Sequence, residues 1–175
     1  AAHEDGNTWL RANDNNRNYV YGVVDGQIGE NGTLTFGYSY QRAKSDGIMW
    51  GALSFMANDG SQLSWPVSAS TTQDWTYWNT NTHTAFAEYT HQLGQDWQLK
   101  LSYNYRHATD DERMFYAYDA LGAGLDPNTG LGLYGYPWGG NDTSTANMGA
   151  ATLDGHFELF GRDQEVMLGA SIARS

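Results

Sequence analysis

Cysteine is absent from the sequence, which excludes disulfide bridges and thiolate metal sites. Positive charge is scarce: nine lysine and arginine residues stand against twenty aspartate and glutamate residues, and the formal net charge is -11. A nucleic-acid partner would need a basic face on the protein to bind phosphate. We therefore expect no nucleic-acid partner.

Uninterrupted apolar stretches are also missing. No segment approaches the roughly 18 apolar residues of a transmembrane helix, so no such helix is expected. No basic and apolar leader opens the sequence, and we expect any export signal to lie upstream or to have been removed. The sequence is instead rich in aromatic residues (14%) and contains 21 glycines. This mixture leaves few segments with helical periodicity and predicts an all-β fold.

Apolar and polar residues alternate with a period of two in several segments, which is the pattern of β-strands. Residues 1–5 are compatible with a further short strand. The six main predicted strands lie at residues 17–28, 33–44, 83–93, 97–108, 144–160 and 165–175.

The connections between these strands alternate between short and long. Segments 29–32, 94–96 and 161–164 are short and contain Gly, Asn and Asp, which tolerate the positive φ angles of tight turns. Segments 45–82 and 109–142 are long loops. The alternation predicts an antiparallel meander with short turns at one rim and long loops at the other, as in outer-membrane barrels.

The segment 97–106 shows the two predicted faces of a strand. One face carries Trp97, Leu99, Leu101, Tyr103 and Tyr105, and the other carries Gln98, Lys100, Ser102, Asn104 and Arg106. Aromatic residues stand at both ends of the apolar face, about 20 Å apart along a tilted strand, close to the height of a lipid-facing band. A soluble sheet with one solvated face would show the same alternation. Because the smallest membrane barrels have about eight strands, we expect a piece of a larger barrel.

Four segments resemble TonB-dependent siderophore receptors, especially those of the ferripyoverdine and hydroxamate type: residues 74–83, 93–100, 130–134 and 157–162. The resemblance implies a barrel of about 22 strands in the bacterial outer membrane, plugged by an N-terminal domain. A ferric siderophore would be the transported ligand, and the TonB complex would power its release inward. Residues 1–175 are then expected to be a partial barrel segment without the plug domain and without the C-terminal strand. The resemblance also implies the lipid bilayer as a direct partner, and the TonB complex as a partner that acts through parts of the receptor outside residues 1–175.

Aromatic residues in the two long loops are the candidate ligand contacts, because rigid rings grip a bulky, partly aromatic chelate at little entropic cost. Trp75, Tyr77 and Trp78 stand first among them, and Trp50 is expected to matter less if it only braces its loop. The alternative is that all these rings hold the loops together. The full set of candidates is Trp75, Tyr77, Trp78, Tyr116, Tyr118, Tyr134, Tyr136 and Trp138.

No residue pattern indicates catalysis, a cofactor or a metal site. The five histidines lack paired spacing, and no GxSxG segment is present, so we expect neither zinc nor an enzyme. Segments 58–60 and 126–128 resemble fragments of calcium loops without the full ligand spacing. The acidic residues of the long loops are interpreted as solvated surface charge. The alternative function is a soluble, aromatic-rich β-sandwich that binds, for example, carbohydrate.

Overall fold

The structure, a computed structural model, describes residues 1–119 and 124–175. Residues 120–123, which belong to the predicted second loop, lie outside the described residues. The strands are β1 (Ala2–Asn7), β2 (Asp14–Ile28), β3 (Gly32–Asp46), β4 (Tyr77–Leu93), β5 (Trp97–Tyr118), β6 (Tyr134–Leu159) and β7 (Arg162–Arg174). They form one antiparallel sheet in chain order. The predicted all-β meander is thus confirmed, with the short N-terminal strand included as a seventh.

Short connections lie at one rim of the sheet and long connections at the other, as predicted. Residues 29–31, 94–96 and 160–161 form what we call the short-turn rim. Gly29 and Gly94 have φ angles of 66° and 71° there. A side chain is strained in this left-handed region, which explains why glycine stands in both turns. Segments 8–13, 47–76 and 124–133 lie at the opposite rim, which we call the loop rim.

Pairing aligns the side chains of neighbouring strands into two faces. On the apolar face, Leu101 pairs with Tyr89 of β4 and with Ala151 of β6. On the polar face, the Lys100 ammonium lies 2.9 Å from the Glu88 carboxylate. Glycine at position 155 allows the ring of its cross-strand partner Trp97 to pack against the backbone of β6. A Cβ at Gly155 would stand 2.3 Å from that ring. The two faces predicted for residues 97–106 are therefore aligned across β4, β5 and β6.

No second layer covers the apolar face within residues 1–119 and 124–175. Val24 is 64% exposed and Leu101 is 41% exposed, although both belong to the apolar face. The few buried apolar side chains, such as Ala108 and Met114, lie toward the loop rim. This arrangement does not fit the β-sandwich alternative, which requires a second sheet packed on the first. It fits a wall whose apolar face contacts lipid.

Hydrogen-bonded rings mark the edge of the apolar face toward the loop rim. The hydroxyl of Tyr103 donates to Oδ1 of Asn147 at 2.6 Å, and the hydroxyl of Tyr38 lies 2.7 Å from Nδ1 of His83. Trp97 stands at the other edge, near the short-turn rim. Such amphipathic rings are typical of both interfaces of a membrane. We call the surface between these edges the apolar band.

The strands extend further toward the loop rim than the sequence predicted. Strands β5 and β6 pair continuously up to Tyr118 and Tyr134, so residues 109–118 and 134–142 of the predicted loop belong to strands. The predicted loop 45–82 likewise shrinks to 47–76. At the short-turn rim, β7 begins at Arg162, before its predicted start at residue 165. Above the apolar band both faces of a strand carry polar residues, and the alternation that revealed the lower strands disappears. Seven of the eight candidate residues consequently lie on strands and not in loops: Tyr77, Trp78, Tyr116, Tyr118, Tyr134, Tyr136 and Trp138.

The described residues contain no helix that is both long and apolar enough to cross a membrane.

Candidate ligand-binding site

The upper parts of β4, β5 and β6 divide the candidate aromatic residues between the two faces. Tyr77 pairs with Arg113 on the continuation of the apolar face. Trp75 meets the edge of Phe115, also on that side, with ring centroids 6.1 Å apart. The polar face carries the other six candidates: Trp78, Tyr116, Tyr118, Tyr134, Tyr136 and Trp138. The structure therefore gathers six of the eight and separates them from Trp75 and Tyr77.

Trp50 stands at the centre of a group of rings on the polar face. Its ring centroid lies 5.7 Å from Tyr116, 6.0 Å from Trp138 and 6.4 Å from Tyr136. We call these four residues the aromatic cluster. Tyr118 extends it by stacking on Tyr116 at 5.9 Å. Offset and tilted ring pairs of this kind bind each other favourably and present a stiff apolar surface.

A glycine in the first long loop allows Trp50 to reach the aromatic cluster. Trp50 forms an isolated bridge with Tyr116, and Gly51 follows with a φ angle of 89°. A Cβ at Gly51 would stand 2.0 Å from the ring of Tyr116. Only glycine permits this approach. No pattern in the sequence predicts this contact, because it joins residues far apart in the chain.

Buried threonines fix the two ends of the same loop. The hydroxyl of Thr72 donates to the carbonyl oxygen of Ile48 at 2.9 Å, and it lies 2.6 Å from the hydroxyl of Thr76. The Arg11 guanidinium donates to the carbonyl oxygen of Thr72 at 2.5 Å. Both threonines are buried. The loop is therefore anchored beside the position where Trp50 enters the cluster.

Three carboxylates lie directly below the aromatic cluster on the polar face. Asp110 pairs with Asp142 across β5 and β6, and Glu112 lies in the next row, between Trp78 and Gly140. We call Asp110, Glu112 and Asp142 the acidic group. The indole Nε1 of Trp78 donates to Oδ1 of Asp110 at 3.2 Å.

Glu112 is 4% exposed, and its Oε2 has no hydrogen-bond partner. Glu112 lies on the part of β5 between Tyr103 and the loop rim, and therefore outside the apolar band. Burial raises the pKa of the Glu112 carboxyl, and the charges of Asp142, Asp110 and Asp111 raise it further. The interpretation of the loop-rim acids as solvated charge is therefore wrong for Glu112. The sequence could not show that Trp78 and Trp138 would flank this position.

A hollow of about 550 Å³ opens on the other side of Trp78. Its wall includes Trp78, Ile48 and the ion pair between Arg17 and Glu4, whose charged atoms are 3.8 Å apart. The hydroxyl of Ser45 donates to Oδ1 of Asn15 at 2.6 Å in the same wall. The hollow thus joins an aromatic surface to polar side chains, which suits a large ligand with mixed chemistry.

The two segments that resemble calcium loops are ordinary turns. Oδ1 of Asp59 accepts the amide of Ser61 at 2.9 Å, and Oδ1 of Asp126 accepts the amide of Asn128 at 2.8 Å. Hydrogen bonds from the side chain and the amide of Ser61 lower the pKa of the Asp59 carboxyl, and hydrogen bonds from the amide of Asn128 and the side chain of Thr129 lower that of Asp126. Within the part of the chain that the structure describes, no three His, Asp or Glu residues gather in a way that could hold a metal ion.

Comparison with known proteins supports the resemblance seen in the sequence. No protein-family model matches the chain. The ferric-pyoverdine M114 receptor PbuA of Pseudomonas sp. strain M114 is 29% identical over 156 residues, which are 89% of this chain and 18% of that protein. The chain spans about a fifth of the length of such receptors.

Solved structures show the same fold. The Pseudomonas aeruginosa receptor FpvA bound to a heterologous pyoverdine superposes with a TM-score of 0.86 and 19% identity, over 98% of this chain and 22% of that chain. The ferripyoverdine receptor of the outer membrane of Pseudomonas aeruginosa, bound to ferripyoverdine, gives 0.84 and 20% over the same shares. The resemblance to siderophore receptors is thus confirmed, and the chain has the fold of a segment of their barrel.

Proposed function

We propose that this chain is a segment of the barrel wall and outer rim of a TonB-dependent receptor that binds and imports ferric siderophores across a bacterial outer membrane. The similarity to ferric-pyoverdine receptors supports this proposal. In it, the apolar band contacts the lipid bilayer, and the polar face lines the lumen. The ferric siderophore is a transported ligand, and the TonB complex acts through parts of the protein outside these residues.

The aromatic cluster is the observation that carries the proposal. Its rings lie on the polar face at the loop rim, where a ligand arriving from outside would enter the lumen. Tyr116 and Tyr136 are both exposed, although both rings contact the ring of Trp50. A stiff aromatic surface that already faces the entrance favours binding of a bulky chelate. We propose binding and not catalysis, since the relatives are named as receptors.

Uptake of radioactive iron tests the proposal. Cells that produce the full-length protein should accumulate iron-55 supplied as a ferric pyoverdine or ferric hydroxamate. A variant with Trp50, Tyr116, Tyr136 and Trp138 changed to alanine should lose most of this uptake. A matched variant with Trp75 and Tyr77 changed to alanine should keep it. Equal amounts of each protein in the outer membrane must be verified by immunoblotting.

The proposal is refuted if no ferric chelate accumulates above the level of cells lacking the protein. If the fourfold variant transports as well as the parent, the receptor function stands, and the rings of the aromatic cluster serve loop packing instead of ligand binding.

A further inference from the structure

We propose that the acidic group and the indole of Trp78 together bind a positively charged nitrogen group, an ammonium or a guanidinium, on the ferric chelate. This inference rests on the proposed function and names the chemistry of one part of that ligand.

The first argument is uncompensated negative charge. Asp110, Glu112 and Asp142 occupy two adjacent rows of the polar face. Among the ion pairs of the described residues, none involves these three carboxylates. Arg113 follows Glu112 but points to the opposite face, and Arg106 lies two rows lower on the same face. Three neighbouring carboxylates without a cation favour binding of a positive group.

The second argument is the orphan oxygen of Glu112. Oε2 is buried and accepts no hydrogen bond. Nearly all buried polar atoms in native proteins have a partner, so an orphan acceptor indicates a donor that is missing. A cationic N–H group supplies both the hydrogen bond and the opposite charge, and such charge-assisted bonds are stronger than neutral ones.

The third argument is the aromatic wall. Trp78 is 41% exposed, and its donation to Asp110 fixes the orientation of the indole. Indole faces attract ammonium and guanidinium groups through the negative potential above the ring. Carboxylates and an indole side by side thus favour an organic cation over a neutral group.

Glycine at position 140 allows the Trp138 ring to pack beside Glu112, so an indole lies on each side of the carboxylate. A Cβ at Gly140 would stand 2.8 Å from the ring of Trp138 and 3.3 Å from Oε1 of Glu112. The missing side chain allows the Trp138 ring and the Glu112 carboxylate to approach the same point. The described carboxylates do not converge as metal ligands. An organic cation with several N–H donors can span two rows of acceptors.

A matched pair of chelates tests the inference in the full-length receptor, purified in detergent, with quenching of tryptophan fluorescence as the readout. A panel of ferric siderophores that carry a free primary amine is screened, and the tightest binder is compared with its N-acetylated form. The parent should bind the amine form about tenfold more tightly. Glu112→Gln should lose most of this preference. Asp111→Asn, which removes one charge on the opposite face, should keep it.

Each other outcome decides against the inference. Equal affinity for the amine and acetylated forms overturns it and leaves the proposed function standing. The same holds if only chelates without an amine bind, or if Glu112→Gln retains the full preference. If no ferric chelate binds at all, the proposed function itself fails, and this inference fails with it.

Discussion

Single residues decide which rings can meet a ligand. Trp138 lies on the polar face of β6, whereas Trp75, just before β4, contacts Phe115 on the opposite face of the sheet, so the two form a matched pair for substitution. In the full-length receptor, Trp138→Ala should weaken binding of the ferric siderophore by about 1–3 kcal/mol, because a ring that packs on the ligand is lost. Trp75→Ala should change affinity little. Titration by fluorescence quenching measures both.

The opposite result would be equally informative. If Trp75→Ala weakens binding and Trp138→Ala does not, the preference for Trp75 drawn from the sequence is correct. The apolar side of the upper strands would then hold the ligand. Both variants must first be shown to insert into the membrane in equal amounts.

Glu112 gives stability a dependence on pH whose sign follows from its raised pKa. The folded protein holds the Glu112 proton more tightly than the unfolded chain does. The free energy of unfolding therefore falls as the pH rises from the ordinary carboxyl value of about 4.3 through the raised value, and it stays lower above. Glu112→Gln removes the charge and keeps the shape of the side chain.

The substitution should raise the unfolding temperature at pH 7 by about 1–3 °C, and the difference should vanish near pH 4. Thermal unfolding followed by intrinsic fluorescence at the two pH values checks this. Glu158→Gln, an exposed acid near the short-turn rim, is the control and should have no such effect. A lower unfolding temperature for Glu112→Gln at pH 7 would contradict the assigned environment.

The alternation of apolar and polar residues predicted the two faces of the strands but not the arrangement of the candidate ligand-binding site. Alternation placed Leu101 and Ser102 on opposite faces because a strand has a period of two. It could not place Trp50, which reaches Tyr116 through a tertiary contact that depends on Gly51. It also could not reveal the burial of Glu112, because that burial depends on rings from two neighbouring strands.

At the scale of the strand, the two faces of β5 must lie in different surroundings. Spin labels at Leu101→Cys and Ser102→Cys in the full-length protein report this directly, and these 175 residues contain no cysteine of their own. The label at 101 should be more accessible to oxygen, which concentrates in lipid. The label at 102 should be more accessible to a polar nickel chelate. Equal accessibility of both positions to both reagents would exclude a membrane wall.

The sequence predicted the lower half of each strand better than the upper half. Within the apolar band, one face of each strand is apolar, and the resulting alternation is easy to recognise. Above the band, Thr, Asn and Asp occur on both faces. Backbone pairing continues there without any hydrophobic pattern, as in the row that joins Asn79, Asp111 and Asn141. The long loops were therefore predicted to be longer than they are.

At the scale of the whole molecule, the sheet has two free edges. The outer edges of β1 and β7 present backbone N–H and C=O groups that no described strand pairs. Such edges template further pairing, and the exposed apolar face adds to the tendency. Residues 1–175 produced alone should therefore associate or require detergent. Sedimentation in plain buffer and in detergent tests this, and a monodisperse monomer in plain buffer would contradict it.

Paired strands carry three of the four rings of the aromatic cluster, those of Tyr116, Tyr136 and Trp138, far beyond the apolar band. From Tyr105 to Tyr118 the β5–β6 ladder extends on the order of 40 Å along the strands, and every residue of β5 in that stretch is paired with β6. Binding to rings on paired strands orders little additional backbone. Binding to rings on free loops would cost conformational entropy for each loop that becomes ordered. Binding to this preorganised surface should therefore be fast. Its affinity should reflect the enthalpy of the contacts more than the entropy lost in ordering the protein.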